Sequence, residues 1–223
     1  MRRNLLVAGG IVAAILLIDQ FVKVYVKTHF LPNEIYPVFG NWFKLLYVEN
    51  QGMAFGTTFG SAVWAKLGLS IFRVIAITGI GIYWYRQAKK GVRKELLIAI
   101  ALIFAGAFGN LVDSMFYDFA FSYDPCMIFN RLDGSGIWSQ CAFGKVETRQ
   151  TGFLFGNVVD MFHFDTTWPK WVPGIGGNAV FPAIWNVADA SITIGVLMML
   201  FRQKAYFKKP KATQEQQVEV QGE

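Results

Sequence analysis

Four stretches of this chain are apolar almost without interruption: Leu5 to Val26, about Ala62 to Tyr85, Leu96 to Val112, and Ile184 to Phe201. A helix needs roughly 20 residues to cross the hydrocarbon of a bilayer, and about 17 suffice. All four runs qualify, the last two narrowly, so the pattern predicts transmembrane helices at about 5–26, 62–85, 96–112 and 184–201. Between the first and second runs the character changes. Phe39, Trp42, Phe43, Leu45, Leu46, Tyr47 and Val48 favour strands, and Gly40-Asn41 supplies a turn, which predicts a small β region within about 35–60. Before the fourth run, Trp168, Trp171 and Phe181 stand among Pro169, Pro173 and several glycines. That composition suits an interfacial loop or a short amphipathic helix placed as a lid. Lys208 to Glu223 is polar and reads as a disordered tail. The expected fold is therefore a mainly α membrane protein: residues 1–207 form one integral membrane domain and 208–223 a tail.

Composition supports the bilayer. Hydrophobic residues make up 54% of the chain and charged ones 16%, with a mean hydropathy of +0.36. The net charge of +6 is a topological signal. Arg2 and Arg3 precede the first run, Arg86, Lys89, Lys90, Arg93 and Lys94 fill the short connection between the second and third, and Arg202, Lys204, Lys208, Lys209 and Lys211 follow the fourth. Positive segments stay in the cytoplasm, so both termini are expected there and the loops around 28–61 and 113–183 outside. No basic face or motif supports a nucleic-acid partner. A cleaved signal peptide is the alternative for the first run; it is longer than a usual signal core, lacks an Ala-x-Ala exit and ends in Asp19-Gln20-Phe21-Val22-Lys23.

Several chemistries drop out. His29 and His163 are the only histidines, too few for a zinc site, and no metal or cofactor is expected. There is no Gly-x-Ser-x-Gly elbow; Gly134-Ser135-Gly136 reads as a turn, and Gly52 to Gly56 falls outside the spans, where its spacing has no packing meaning. Cys126 and Cys141 share the second outer loop and have neither a base nor metal-like spacing beside them. An oxidising exterior favours a disulfide, worth roughly 3 kcal/mol for a loop of this size.

What remains is carboxylates and amides. Asn110 and Asp113 share a helix face three residues apart, as do Asn186 and Asp189, and Asp19 and Lys23 are spaced four apart for an internal ion pair. All fall near one depth, just inside the outer surface. Alone, each has a plain reading as a helix cap or a satisfied interfacial group, Asn186 above all. Together they mark a site, because carboxylates are expensive to keep in or near hydrocarbon. Asp160, in Val158-Val159-Asp160-Met161-Phe162, supplies a second carboxylate to set beside Asp189. A proton-coupled carrier would also use such carboxylates, although nothing suggests paired interrupted helices.

These residues carry a resemblance. Asp19-Gln20 with Lys23, Asn50-Gln51-Gly52-Met53-Ala54-Phe55-Gly56, Gly106-Ala107-Phe108-Gly109-Asn110-Leu111-Val112-Asp113, Val158-Val159-Asp160 and Trp185-Asn186-Val187-Ala188-Asp189 are similar, in order, to the motifs of the lipoprotein signal peptidases, the type II signal peptidases. The resemblance implies a membrane aspartyl protease of the bacterial cytoplasmic membrane, working near its outer face. Such enzymes cut lipid-modified prolipoproteins before a diacylglyceryl-modified cysteine while the lipid stays in the membrane, and globomycin inhibits them. By matching position, Asp160 and Asp189 are the expected catalytic pair, and Asp19, Lys23, Asn50, Gly52, Asn110, Asp113 and Asn186 the groups around it. An inactive scaffold that binds lipoproteins is the remaining alternative.

The chain departs from the family pattern twice. Ser114 stands where an arginine usually follows the aspartate, and the distance from Asp113 to Asp160 implies an inserted outer loop over about 117–157 that holds both cysteines. Arg73, inside the second run, is expensive in hydrocarbon unless paired. It is expected to supply to Asp113 in space the charge that Ser114 does not supply in sequence; the alternative is that it snorkels to the outer interface and has no part in the site.

Overall fold

A computed structural model describes residues 2–51 and 63–206; Gly52, the Gly52–Gly56 motif and the 208–223 tail lie outside the described residues. The chain runs α1 (Arg2–His29), β1 (Ile35–Phe39), β2 (Phe43–Asn50), α2 (Val63–Lys89), α3 (Lys94–Ala120), β3 (Trp138–Cys141), β4 (Gly144–Glu147), β5 (Val158–Phe164), β6 (Ile184–Trp185), α4 (Val187–Phe201) and α5 (Gln203–Tyr206). Among the described residues, α1, α2 and α3 are long and apolar enough to cross a membrane, while α4 is a shorter apolar helix.

Two helix ends differ from expectation. α3 continues to Ala120 instead of stopping near residue 112. Asp113 and Tyr117 are one turn apart and both buried, so the inward face persists after the apolar run has ended. α4 begins later than expected, at Val187 rather than 184. Ile184 and Trp185 are a strand on β5, and Asn186 sits in extended backbone as the helix cap. A continuous apolar run here hides a change of backbone conformation. The inserted loop accordingly starts beyond Ala120.

α3 packs against each of the other three long helices. Its contact with α4 is made at backbone level by glycines: a Cβ at Gly106 would lie 2.2 Å from the Ala188 carbonyl oxygen, and one at Gly195 2.7 Å from that of Ala99. Small residues at such positions let membrane helices approach closely. Ser191 Oγ adds a hydrogen bond to the Leu102 carbonyl at 2.7 Å.

The larger sheet is antiparallel throughout, in the order β1-β2-β5-β6. One face buries Tyr47, Val159 and Met161 against Val26 of α1 and Tyr117 of α3. Alternation turns Asp160 of β5 to the other face. Val48 is its partner across the ladder, and Asn50, two residues on, shares that face. The same face of β5 continues into an aromatic strip, in which Phe164 stacks on Trp42, Phe162 stacks on Phe43, and both pack at a tilt against Trp185.

The insertion folds as a separate lobe around the β3–β4 hairpin, and Cys126 and Cys141 are joined as a disulfide. Buried Arg149 fastens the lobe to the bundle: its guanidinium grips Asp118 of α3 at 2.8 and 2.9 Å, Asn130 Oδ1 at 2.7 Å and the Phe155 carbonyl at 3.0 Å. A Cys126→Ser/Cys141→Ser variant is expected to become sensitive to limited proteolysis within the lobe while its helical circular dichroism stays unchanged. Equal resistance with and without the bridge would show that Arg149 alone holds the lobe. The 165–183 segment forms a turn-rich loop, not a helix, pinned by a Thr167–Ala179 bridge, with Trp171 exposed.

Candidate functional site

Where the sheet meets the helix bundle, five elements deliver polar side chains to one place. α1 contributes Asp19, Gln20 and Lys23, β2 Asn50, α3 Asn110 and Asp113, β5 Asp160, and α4 with its cap Asp189 and Asn186.

Asn186 is the hub. As the cap of α4 its side-chain oxygen accepts from the Asp189 backbone N–H at 2.9 Å, while Asp189 Oδ2 accepts from the Asn186 N–H at 3.2 Å, a reciprocal capping box. Its Nδ2 donates to Asp160 Oδ1 at 2.7 Å. One residue thus holds both carboxylates: Asn186 is the helix cap of the plain reading and also the donor that joins Asp160 to the start of α4. Asn50 donates to the other oxygen of Asp160. Asn110 donates to Asp189 Oδ1 at 2.8 Å and is held in turn by Lys23, whose ammonium donates to its Oδ1 at 2.8 Å.

Beneath the two carboxylates lies a fully buried ionic cluster. The Lys23 ammonium sits 2.9 Å from Asp19 Oδ2 and 2.9 Å from Asp113 Oδ2. Gln20 donates to Asp113 Oδ1 at 2.9 Å and takes a hydrogen bond from the Tyr117 hydroxyl at 3.1 Å. Asp19 Oδ1 accepts from the Ala188 N–H at 2.8 Å, so a carboxylate from α1 caps a free donor in the first turn of α4 and meets the positive end of its dipole. A Cβ at Gly109 would lie 2.8 Å from Asp19 Oδ2, so only glycine leaves room for this contact.

Asp160 is almost fully buried. Burial, and then the neighbouring Asp189, push its carboxyl well above the usual carboxylate range. Two carboxylates coupled in this way titrate as a pair. Among the described residues no group of three His, Cys, Asp or Glu is arranged to hold a metal ion.

Arg73 is not the partner of Asp113. That carboxylate is saturated by Lys23, Gln20 and the Val159 N–H at 3.3 Å. Position 114 is fully buried where the insertion returns, with Gly156 N–H donating to the Ser114 carbonyl at 3.0 Å, so the serine is the side chain that fits. Arg73 instead belongs to a polar stripe on α2 that hydropathy alone did not reveal. Lys66 donates to the Gln51 and Gly156 carbonyls at 2.6 and 3.0 Å, and Ser70 donates to the Leu154 carbonyl at 2.7 Å. Gln20 and Tyr117 also escaped the sequence reading of the site, although Tyr117 follows Asp113 by one helical turn.

A family model described as signal peptidase (SPase) II matches residues 11–204. The chain is 36% identical over 203 residues to the lipoprotein signal peptidase of Porphyromonas gingivalis, an alignment covering 87% of this chain and 81% of that protein. It is 32% identical over 210 residues to the lipoprotein signal peptidase of Amoebophilus asiaticus, covering 90% and 79%. The fold is shared with a bacterial membrane enzyme solved at 2.3 Å by the in meso method, with a TM-score of 0.59 at 20% identity over 93% of this chain and 94% of the other.

Proposed function

This chain belongs to the signal peptidase II family, a family of proteases, and from that premise we propose that Asp160 and Asp189 are its catalytic pair, cutting lipid-modified prolipoproteins at the outer face of the bacterial cytoplasmic membrane. The observation that carries the reading is the double grip of Asn186 on both carboxylates. It gives the pair a fixed spacing without neutralising it.

The chemistry follows from one shared proton. The ionised carboxylate takes a proton from a water as that water attacks the peptide carbonyl, and the neutral one gives its proton to the carbonyl oxygen. As the tetrahedral adduct collapses, one of its hydroxyls returns a proton to the ionised carboxylate while the protonated carboxyl gives its proton to the departing amine, and the pair is left with one proton again. Asn50, Asn110 and Asn186 keep the oxygens aimed throughout. The Lys23 cluster holds Asn110, and the aromatic strip beside Asp160 faces the substrate's acyl chains at the interface. In this arrangement four helices cross the membrane, with both termini in the cytoplasm. α4, about 22 Å long at the usual rise, spans with the help of its Ile184-Trp185 strand and α5.

Purified protein is expected to release the signal fragment from a diacylglyceryl-modified precursor, to leave the unmodified precursor intact, and to be inhibited by globomycin. Cleavage of both precursors at one rate would remove the lipid from the reading. A reporter fused after Lys90 is expected to read cytoplasmic and one near Gly134 exterior. An exterior signal at Lys90 would place the pair on the wrong side of the membrane.

A further inference from the structure

Lys66, Ser70 and Arg73 are spaced four and three residues apart and so share one face of α2. The first two point their donors at backbone carbonyls of the protein itself: Lys66 at Gln51, next to Asn50, and at Gly156, which leads into β5; Ser70 at Leu154. The third, one turn deeper, has a buried Nη1 with no hydrogen-bond partner among the described residues. Side chains on a helix lean toward its N-terminus, which carries this guanidinium from its place about 15 Å along α2 back toward the polar layer. There Asp189, Asp113 and Asp160 are the carboxylates within its electrostatic reach.

None of those carboxylates needs it. Asp160 is held by Asn50 and Asn186, Asp189 by Asn110 and the Asn186 N–H, and Asp113 by Lys23 and Gln20. Their field attracts the guanidinium to this level without bonding it. A buried donor without an acceptor is costly unless another molecule brings one, and the neighbouring donors show which acceptor this face takes.

Resting on the reading of Asp160 and Asp189 as the catalytic pair, we propose that Arg73 binds the substrate: its guanidinium donates to a backbone carbonyl of the prolipoprotein on the signal-peptide side of the bond to be cut. Arg73 then completes a row of three carbonyl-binding donors. Two hold the segments that carry Asn50 and Asp160, and the third holds the chain delivered to them. A peptide main chain entering beside α2 offers carbonyls at every second residue on one side, so a fixed donor at this depth sets which bond stops at the pair.

The test uses full-length enzyme in detergent micelles with a diacylglyceryl-modified precursor peptide. Arg73→Met is expected to raise KM about tenfold, the scale of one lost charge-assisted hydrogen bond, with kcat within about threefold and both limbs of the pH profile unmoved. Arg73→Lys, which keeps one charged donor, is expected to recover part of the KM. Direct binding of the same precursor to the Asp160→Asn enzyme is expected to weaken by the same factor when Arg73→Met is added. Unchanged KM and binding would overturn the proposal. So would a fall in kcat with a displaced alkaline limb, which places Arg73 on the carboxylates, or a lowered unfolding temperature with KM intact, which makes it structural. If Asp160→Asn cleaves like the unaltered enzyme, the pair assignment fails, and the binding comparison still decides Arg73.

Discussion

Asp160→Asn and Asp189→Asn are each expected to lower the rate of precursor cleavage by about 10²–10⁴-fold while the protein stays folded and inserted. An amide keeps the volume and one acceptor of the carboxylate but can neither take a proton from water nor return one. At Asp160 the replacement also misfits, because both carboxylate oxygens accept from amide donors, Asn50 on one side and Asn186 on the other. An asparagine there turns a second NH2 toward one of them. In the unaltered enzyme, burial and Asp189 raise the Asp160 carboxyl, so the shared proton persists above the usual carboxylate range. Cleavage is therefore expected to fall on the acid side, when the base is protonated, and on the alkaline side, when the shared proton leaves. Precursor cleavage by the two purified variants across pH tests both statements. Substantial turnover by either would refute the pair.

Lys23→Met is expected to be the most destabilising single replacement near the site, costing about 3–5 kcal/mol, because it removes the ammonium that bridges two fully buried carboxylates. Asp19 and Asp113, both fully buried, would then face each other without that counter-charge. Asp19 also caps α4, so the loss reaches Asp189 through the helix start. Adding Asp113→Asn is expected to restore a substantial part of the stability, since it removes one of the two orphaned charges. Denaturant unfolding of the single and double variants in micelles measures this. A Lys23→Met protein as stable as the parent would mean that the carboxylates are neutral.

How far these features were legible in the sequence depends on the distance over which they are determined. The Asp19–Lys23 pair could be read directly, since both ends lie on one helix face four residues apart. Its third member, Asp113, could be marked as costly but not assigned to Lys23, because that contact depends on how α1 and α3 cross. Hydropathy located the four helices and misjudged two ends for opposite reasons. At α3 the apolar run stops at Val112, before polar Asp113, although the helix continues inward-facing; at α4, Ile184 and Trp185 looked like the helix although they form a strand before the Asn186 cap. The disulfide was open to inference from compartment alone. The Arg149 clamp on Asp118 was not, as it joins an insertion to a helix through a residue with no local sign of its role. Arg73 was noticed for its cost and given the wrong neighbour, because Lys66 and Ser70, which define its face, were not read with it.

The cap that Asp19 places on Ala188 joins residues 169 positions apart, and that span has a meaning in time. A ribosome makes Asp19 early and Asp189 last among the site residues, so a chain synthesised only through β5 has Asp160 but not the carboxylate of Asp189. Only when α4 enters the bundle do its free first-turn N–H groups find the Asp19 oxygen and Asn186 close over Asp160. On the reading of Asp160 and Asp189 as the catalytic pair, hydrolytic power waits for α4, and a chain that still lacks that helix carries only half of the pair.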